Sequence, residues 1–416
     1  MSLNRKIVFV TPVYLPAPLY GSDKYVWLLA QELVARGADV SIITTKALTP
    51  RFWYDPIFGK SVNSPYEVIE GVRVYRLNCN FWFSSCLFIL RKIGKYIFPK
   101  RLDNILAILS SGPWLIGLEK LIRQQKFDII HVSPFPLYMN KQVVDAIKKL
   151  KDKPDLIVTP FFHEQVPDFG NPRIFGLLAP ATVIHVISEA EKKEIARRFP
   201  ALVKKIVVIP LYATFPPAFS STALRREVST LRRTYTLARR KIVLFVGIKG
   251  NMKGAISVMR AVNELYQSDS AYLLIALGGA TSAWNQAKRR VDPRSLLDLD
   301  YLDGKMKHAF YALCDVFCLP SKSETFGLVY LEAWHKKKPV IAADIPATRE
   351  LIAVHKAGKL VKFDDRLALQ KMIKGLIENK KEAAMYGNNG YRALMKFYID
   401  IKLIPSYVRL FTHMSL

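Results

Sequence analysis

Residues 315–344 read DVFCLPSKSETFGLVYLEAWHKKKPVIAAD, and this stretch decides the fold of the chain. It begins with a short apolar run, Val316 to Leu319, and passes through a polar turn. Leu328, Leu331 and Trp334 then recur at helical spacing, up to a run of lysines that suits the negative end of a helix dipole. A second apolar run follows. The stretch therefore predicts a strand, a helix and a strand of a parallel sheet, whose ligands bind at the carboxyl ends of the strands.

Two glutamates stand at that predicted edge. Glu324 lies in the loop and Glu332 about one turn into the helix, with Gly327 between them. The free N–H groups of a helix N-terminus bind phosphate, and glycine lets a ligand approach the backbone. Carboxylates accept hydrogen bonds from hydroxyl groups, and eight helical residues span roughly 12 Å, which reaches the two sugars of a nucleotide sugar. The alternative is that Glu324 caps the helix and Glu332 is a solvated helix residue.

The longer string Ser-x-x-Glu-Thr-Phe-Gly-Leu-x-x-Leu-Glu-Ala, followed by Lys-Pro-Val-Ile-Ala, carries a family resemblance. It is similar to the Glu-x7-Glu signature of retaining glycosyltransferases of the GT-B fold, in the family 4 class known as glycosyl transferases group 1. In that family the first Glu contacts the donor sugar, the loop amides contact sugar and phosphate, and the second Glu holds the ribose. The resemblance implies donor-binding roles for Glu324, Thr325, Phe326, Gly327, Leu328 and Glu332.

A glycine-rich loop, GIKGNMKG at 247–254, follows another apolar run. A lysine supplies a point charge for a pyrophosphate, and glycines let backbone amides approach it. The family pattern is a Gly-Arg pair with Lys-Gly five residues later, so Gly247, Lys253 and Gly254 match it, whereas Ile248 stands at the arginine position. Lys249 is the candidate replacement for that arginine, although neighbouring side chains of an extended segment point to opposite sides.

The start of the chain repeats the order of strand, loop and helix. An apolar run from Lys6 to Val10 precedes a proline-containing loop and a helix from about Ser22 to Arg36. The family has two glycines and a Glu in this loop, which meets the donor phosphates and the acceptor. This chain has Gly21 and Asp23, so the resemblance assigns donor binding to Gly21 alone. The alternative is that Gly21 only helps a tight turn.

One histidine is a candidate on the acceptor side. His163 follows the apolar run that ends at Thr159, and a residue just past a parallel strand points into the ligand crevice. By resemblance His163 matches the family's His that contacts the transferred sugar and the acceptor. A lone histidine is otherwise more often structural.

The length and the resemblance predict an α/β protein with two domains. At 416 residues with 50% hydrophobic residues, the chain can build two cores. We expect the GT-B arrangement, two doubly wound Rossmann-like domains facing across a cleft. Residues 1–212 would form an acceptor-binding domain and residues 213–392 a nucleotide-sugar-binding domain, with a helix in 393–416 crossing back to the first. The four cysteines are predicted to be reduced core residues.

The net charge of +28, from 62 basic and 34 acidic residues, implies an anionic partner. No apolar run has the length that a bilayer crossing needs, so we expect any membrane contact to be peripheral. Aromatic and aliphatic residues from Phe81 to Leu90 are followed by cations at 91, 92, 95, 100 and 101, with Tyr96, Ile97 and Phe98 interleaved. This pattern suits a helix in the headgroup region or, alternatively, ordinary packed helices. Arginine doublets recur every seven residues at 225–226, 232–233 and 239–240, as a solvated face or as a phosphate-binding stripe.

These observations predict retaining transfer of a sugar from a UDP- or GDP-linked donor to a lipid-linked or glycan acceptor. The catalytic residues would be His163, Glu324 and Lys253, and neither a metal nor another cofactor is expected, because cations and a helix end stabilise the leaving diphosphate. The predicted location is cytoplasmic, peripheral on the inner face of the cell membrane.

The alternatives are an epimerase of the same fold, which releases free sugar, and a nucleic-acid-binding protein. Charge alone suggests the latter, and because no known nucleic-acid module is present we expect no nucleic-acid partner.

Overall fold

The structure is a computed structural model that describes residues 5–17, 19, 21–55, 57–94, 97–162, 167–215, 221–302 and 304–412. The chain divides into two units, each with its own sheet. The first unit comprises Met1–Ile209 and Ile404–Leu416, and the second comprises Pro210–Leu403.

The first unit is built on an eight-stranded sheet, parallel except for one edge strand. Its strands are β1 (Lys6–Val10), β2 (Asp39–Thr45), β3 (Tyr66–Ile69), β4 (Val72–Leu77), β5 (Ile129–Val132), β6 (Asp155–Val158), β7 (Val183–Val186) and β8 (Ile206–Val208). They lie in the order β3-β4-β2-β1-β5-β6-β7-β8, with β3 antiparallel to β4. The helices are α1 (Ser22–Val34), α2 (Phe81–Gly94), α3 (Lys100–Leu109), α4 (Leu118–Gln125), α5 (Tyr138–Lys148), α6 (Phe175–Leu178) and α7 (Glu189–Arg198).

The second unit is built on a six-stranded parallel sheet in the order β11-β10-β9-β12-β13-β14. Its helices and strands are α8 (Ser221–Thr234), β9 (Lys241–Val246), α9 (Ala255–Ser268), β10 (Tyr272–Leu277), α10 (Ser282–Lys288), β11 (Leu296–Leu299), α11 (Gly304–Leu313), β12 (Val316–Leu319), α12 (Leu328–His335), β13 (Val340–Ala343), α13 (Pro346–Thr348), β14 (Gly358–Val361), α14 (Arg366–Glu378) and α15 (Lys380–Ala393). A last helix, α16 (Asp400–Thr412), ends the described chain.

The predicted strand, helix and strand of residues 315–344 are confirmed as β12, α12 and β13. All residues of β12 and β13 are buried, as expected of central parallel strands covered on both faces. The fold class is confirmed as α/β with two mostly parallel sheets. In each sheet the strand order reverses beside the first strand of the unit, between β1 and β5 and between β9 and β12. Such a reversal opens a ligand crevice at the carboxyl edge.

The domain boundaries differ from the prediction at the carboxyl end. The first division lies between Ile209 and Pro210, close to the predicted 212, but the chain returns to the first unit at Ile404 and not at 393. The reason is that residues 394–398 continue α15 as a π-helix and stay on the second unit. Leu394 is fully buried, and the carbonyl of Tyr398 accepts a hydrogen bond from the amide of Ala213 at 2.9 Å.

The end of α16 completes the core of the first unit. Tyr407 and Phe411 are fully buried, and the Phe411 ring lies 5.7 Å from the ring of Phe9 on β1. Three of the four cysteines are buried as predicted, whereas Cys86 is exposed on α2, so the core prediction is wrong for that residue.

Candidate functional site

Two loops meet at the strand-order reversal of the second unit. One follows β9 and contains Gly247 to Gly254, and the other follows β12 and contains Ser321 to Gly327. Because β9 and β12 are hydrogen-bonded neighbours, both loops leave the sheet at the same edge. The amide of Lys322 donates to the carbonyl of Met252 at 2.8 Å, which joins the loops directly. The two sequence motifs therefore form one site.

Lys253 and Glu324 form the ion pair of this site. The Lys253 ammonium lies 2.8 Å from a carboxylate oxygen of Glu324, and the two side chains are 30% and 12% exposed. The pair is partly open to solvent, mainly at Lys253, and each charge holds the other side chain in place. The structure thus brings together two of the three predicted catalytic residues, with a cation and a hydrogen-bond acceptor side by side.

Two glycines are required by the close approach of these loops. Gly254 has a φ of +71°, and a Cβ there would lie 2.4 Å from the carbonyl oxygen of Pro320. Gly327 has a φ of +88°, and a Cβ there would lie 2.5 Å from the ring of Tyr330. Side chains are excluded at both positions. The Tyr330 hydroxyl donates to the Leu319 carbonyl at 2.7 Å, which fixes the first turn of α12 against the end of β12.

The two loop residues that follow Glu324 have buried side chains. Thr325 and Phe326 are buried, and the Phe326 ring packs 5.6 Å from the ring of Tyr398. Leu328 is the first residue of α12, so the amides around it belong to the open N-terminus of that helix. Any contact of Thr325 or Phe326 with a ligand would have to come from the main chain, and the loop-amide role that the resemblance implies stays a prediction.

Glu332 lies deeper on the same helix. Its carboxylate accepts a hydrogen bond from the ammonium of Lys307 on α11 at 2.7 Å, and the residue is 7% exposed. Burial raises the pKa of the neighbouring Tyr311 hydroxyl well above its ordinary value, and the Glu332 charge adds to that effect. Lys307 was not predicted. A lysine in the preceding helix carries no local signal, because its relation to Glu332 depends on how α11 packs on α12.

The ammonium of Lys249 is held by the neighbouring strand and not by the paired loops. The predicted donor-binding role of Lys249 is therefore corrected. Its ammonium donates to Asp298 on β11 at 2.6 Å and to the carbonyl of Leu299 at 2.9 Å, and the residue is 1% exposed. Burial raises the pKa of Asp298, but hydrogen bonds from Lys249, Lys288 and Trp284 outweigh burial and hold it below its ordinary value. Lys249 therefore anchors the loop to the sheet.

Neighbouring side chains of an extended segment point to opposite sides, and this explains why Lys249 is buried. The Lys249 amide donates to the carbonyl of Gly279, and the Lys249 carbonyl accepts from the amide of Thr281, so the segment pairs like a strand beside the end of β10. Lys249 points inwards and its neighbour Ile248, at the family's arginine position, is 61% exposed. An apolar side chain thus occupies the outward position. Gly247 has a φ of +155°, a backbone conformation that residues with side chains rarely adopt.

The corresponding edge of the first unit holds Gly21 and Asp23. Gly21 precedes α1 with a φ of +47°, and its carbonyl accepts from the amide of Tyr25 at 3.1 Å. Asp23, in the first turn of α1, accepts a hydrogen bond from the hydroxyl of Thr11 at 3.2 Å, just past the end of β1. Burial raises the pKa of Asp23 to about 7. Asp23 was noted in the sequence only as a departure from the family pattern.

His163 lies outside the described residues. Two other histidines, which the sequence analysis did not single out, lie on strands of the sheet of the first unit. His131 on β5 and His185 on β7 are fully buried, and each hydrogen-bonds the Thr159 hydroxyl, through Nε2 at 2.7 Å and through Nδ1 at 2.9 Å, respectively. The available signal was a histidine inside an otherwise apolar strand, at the same position of IIHV and VIHV.

The protonation of His185 follows from its partners. Its Nε2 lies 2.9 Å from the carbonyl of Ile209, which can only accept, so Nε2 carries the proton and donates. Nδ1 then accepts, with the hydroxyls of Thr159 and Tyr25 within 2.9 and 3.2 Å. Burial lowers the pKa of His185 to about 4, and burial together with His185 lowers the pKa of His131 well below its ordinary value. Both rings are neutral at physiological pH.

Neither a metal cluster nor a membrane-spanning helix is found in the part of the chain that the structure describes. No group of three or more His, Cys, Asp or Glu side chains among those residues is arranged to hold a metal ion. Among the same residues, no helix combines the length and the apolar character that a bilayer crossing needs.

Comparison with known proteins matches both units. The family described as "Glycosyl transferases group 1" matches residues 229–393, and a "Glycosyl transferase 4-like domain" matches residues 20–211. A D-inositol 3-phosphate glycosyltransferase of Kineococcus radiotolerans is 29% identical over 367 residues, which cover 81% of this chain and 76% of the relative. A phosphatidyl-myo-inositol mannosyltransferase of Mycobacterium leprae is 28% identical over 173 residues, covering 40% of this chain and 45% of that protein.

Solved structures share the fold over the whole chain. A sucrose-phosphate synthase from Thermosynechococcus elongatus superposes with a TM-score of 0.73 at 18% identity, covering 98% of both chains. Anabaena Alr3699/HepE, solved in complex with UDP and glucose, gives a TM-score of 0.68 at 15% identity and covers 99% of this chain and 100% of that one. Taken with the paired loops at the β9–β12 edge, these matches show that the chain belongs to the group 1 glycosyltransferases of the GT-B fold.

Proposed function

We propose that this glycosyltransferase moves a sugar, with retention of configuration, from a UDP- or GDP-linked donor to a lipid-linked or glycan acceptor at the inner face of the cell membrane. The ion pair of Lys253 and Glu324 at the open end of α12 carries the proposal. A cation and free helix amides suit a diphosphate, and a carboxylate beside them suits a sugar hydroxyl. The structures of Alr3699/HepE with UDP and with UDP-glucose support a donor of this class.

The chemistry needs a leaving group whose charge is stabilised. The bond between the anomeric carbon and the diphosphate oxygen breaks, a bond from that carbon to the acceptor oxygen forms, and the hydroxyl proton leaves with the diphosphate or to solvent. Lys253 and the amides at Gly327 and Leu328 stabilise the charge on the diphosphate. Glu324 holds hydroxyls of the transferred sugar, and Glu332, one turn into α12, binds the ribose. His163 is proposed to contact the transferred sugar and the acceptor.

The test of the donor site combines binding with transfer. Thermal unfolding with a panel of UDP- and GDP-sugars should show stabilisation by one donor, and Lys253→Ala should reduce that stabilisation. Transfer to an extracted lipid acceptor, followed by NMR of the product, should give the anomeric configuration of the donor. An inverted product contradicts retention, and release of free sugar without any acceptor contradicts transfer and favours an epimerase.

The membrane part of the proposal rests on the surface of α2. Among its residues only Ser84 and Gly94 are buried, and Trp82, Ile89 and Ile93 are 86%, 54% and 63% exposed. Lys92, on the same helix, and Lys100 and Arg101, at the start of α3, are exposed cations. A solvated helix does not normally present large apolar side chains in such number, whereas a helix at the headgroup level buries them and places its cations against anionic lipid.

Vesicle flotation tests this assignment. The protein should float with vesicles that contain anionic lipid and should be released as salt concentration rises, because both apolar insertion and charge attraction contribute. Replacing Trp82 and Phe83 with Ser should reduce flotation. In the matched control, Ser replaces Phe175 and Val203, which are 40% and 41% exposed elsewhere on the first unit. This control variant should float as the parent protein does. If flotation does not depend on lipid charge, or is unchanged when Trp82 and Phe83 are replaced, a soluble acceptor becomes the better explanation.

A further inference from the structure

The helix α8 of the second unit carries four exposed arginines. Arg225, Arg226, Arg232 and Arg233 are exposed on α8 and form what we call the arginine face. Residues seven apart on a helix lie on the same side, so the two doublets share one face, about 10 Å apart along the axis. The third doublet does not continue it, because α8 ends at Thr234 and Arg240 donates to the carbonyls of Tyr272 and Arg294.

Three arginines of this face lack an acidic partner among the described residues, which distinguishes α8 from an ordinary solvated helix. Among the residues that the structure describes, no carboxylate lies within ion-pair distance of Arg226, Arg232 or Arg233. The positions three and four residues from each of them hold only uncharged residues, among them Ser229 and Thr230. Glu227 is the one acidic residue in α8. A surface helix is normally stabilised by glutamates at such positions, and like charges on one face repel.

The opposite side of α8 explains why the helix stays folded. Leu231 is buried, and the helix packs on α11. The arginine face is therefore presented outwards by a helix that is fixed by its apolar side. The guanidinium groups of this face suit phosphate oxygens, because each planar group can contact them with two parallel N–H donors.

We propose that the arginine face binds the anionic phosphate headgroups of a membrane, as a second contact separate from α2. The inference rests on the proposed membrane acceptor and adds a contact on the other unit. Headgroup phosphate suits the face better than single-stranded nucleic acid does, because the sequence of α8 contains no aromatic residue on which bases could stack. Each cation near an anionic surface adds to the attraction, so several arginines on one face act together.

The test is vesicle binding of Arg226→Gln, Arg232→Gln and Arg233→Gln combined in one variant of the full chain. Its matched control is Lys371→Gln, Lys374→Gln and Lys381→Gln, which removes three exposed cations from α14 and α15 of the same unit. With vesicles containing phosphatidylglycerol, the arginine variant should bind roughly tenfold or more weakly, with a shallower dependence on salt, and the lysine control should bind within about twofold of the parent.

Three outcomes decide the inference. Unchanged vesicle binding by the arginine variant overturns it, and so does an equal loss in the lysine control, which would show a general effect of net charge. Loss of binding to a polyuridine oligonucleotide without loss of vesicle binding overturns it in favour of nucleic acid. Donor-induced thermal stabilisation should be unchanged in the arginine variant, which shows that it is folded. Because donor binding and the α2 variant are measured separately, failure here is distinguishable from failure of the proposed function.

Discussion

The carboxyl edges of the two sheets differ in how they hold charge. At the β9–β12 edge of the second unit, Lys253 pairs with Glu324 and Lys307 pairs with Glu332, so each carboxylate has a cation. At the β1 edge of the first unit, Asp23 is held by a neutral hydroxyl, and the nearby buried histidines are neutral. One edge therefore holds ion pairs, and the other holds its acidic side chain by a neutral hydroxyl group.

The difference teaches where binding energy for a donor and for an acceptor would come from. A diphosphate carries its charge in all states of the reaction, and fixed cations hold it. An acceptor hydroxyl is neutral, and neutral or titrating partners suit it better than a strong ion pair does. The following predictions test this contrast, and the first has the largest expected effect on activity.

Glu324→Gln should have the largest effect on activity. It keeps the shape of the side chain but removes the charge from the pair with Lys253, and loss of a polar group aimed at the reacting sugar costs about 10²- to 10³-fold in kcat. Steady-state transfer rates measure this, and Glu378→Gln, at the exposed end of α14, is the control. Normal turnover of Glu324→Gln would show that the edge does not act on the donor.

The buried histidines should make the first unit sensitive to acid. Folded His185 stays neutral down to about pH 4, whereas its ordinary pKa is 6.5, so the unfolded chain binds more protons between these values. The parent protein should be more stable than His185→Gln by a constant amount above about pH 6.5. This difference in the free energy of unfolding should fall by at most about 3 kcal/mol as pH drops to about 4. Urea unfolding at several pH values measures it, and a pH-independent difference between the two proteins would contradict it.

The two lysines of the 247–254 loop should give opposite results. Lys249→Met leaves Asp298 with fewer buried partners, so the free energy of unfolding should fall by about 1–3 kcal/mol while donor affinity is retained. Lys253→Met should leave thermal stability nearly unchanged but weaken donor binding by roughly 1.5–3 kcal/mol, as expected for a hydrogen bond to a charged group. Calorimetry with the donor and thermal unfolding separate the effects. The same response from both variants would remove the distinction.

Asp23→Asn should change the pH dependence of stability with the opposite sign to that of His185. The folded protein keeps Asp23 protonated up to about pH 7, against an ordinary value of 3.8, so the folded state binds more protons between these values. The stability of the parent relative to Asp23→Asn should therefore decrease as pH rises from about 4 to about 7 and stay constant above that. Unfolding curves of the two proteins across this range decide it.

The sequence predicted most where the signal was local. The loops around Lys253 and Glu324 lie at the ends of two apolar runs, so their meeting at one edge follows from the parallel order of β9 and β12. The direction of Lys249 was not predictable with the same certainty, because its partner Asp298 lies 49 residues away on β11. The network of His131, Thr159 and His185 spans three strands, and no sequence spacing reveals which side chains share a face until the strand order is known.

The packing of Tyr407 and Phe411 in the first unit has a consequence for synthesis of the protein on the ribosome. Their partners Phe9, His131 and His185 are made early, but the covering helix comes after the whole second unit, Pro210–Leu403. At roughly 5–20 residues per second, the nascent first unit waits roughly 10–40 s for it. During that time an apolar, histidine-containing face is uncovered. A chain truncated before residue 404 keeps it uncovered, and should bind chaperones or aggregate where the full chain folds.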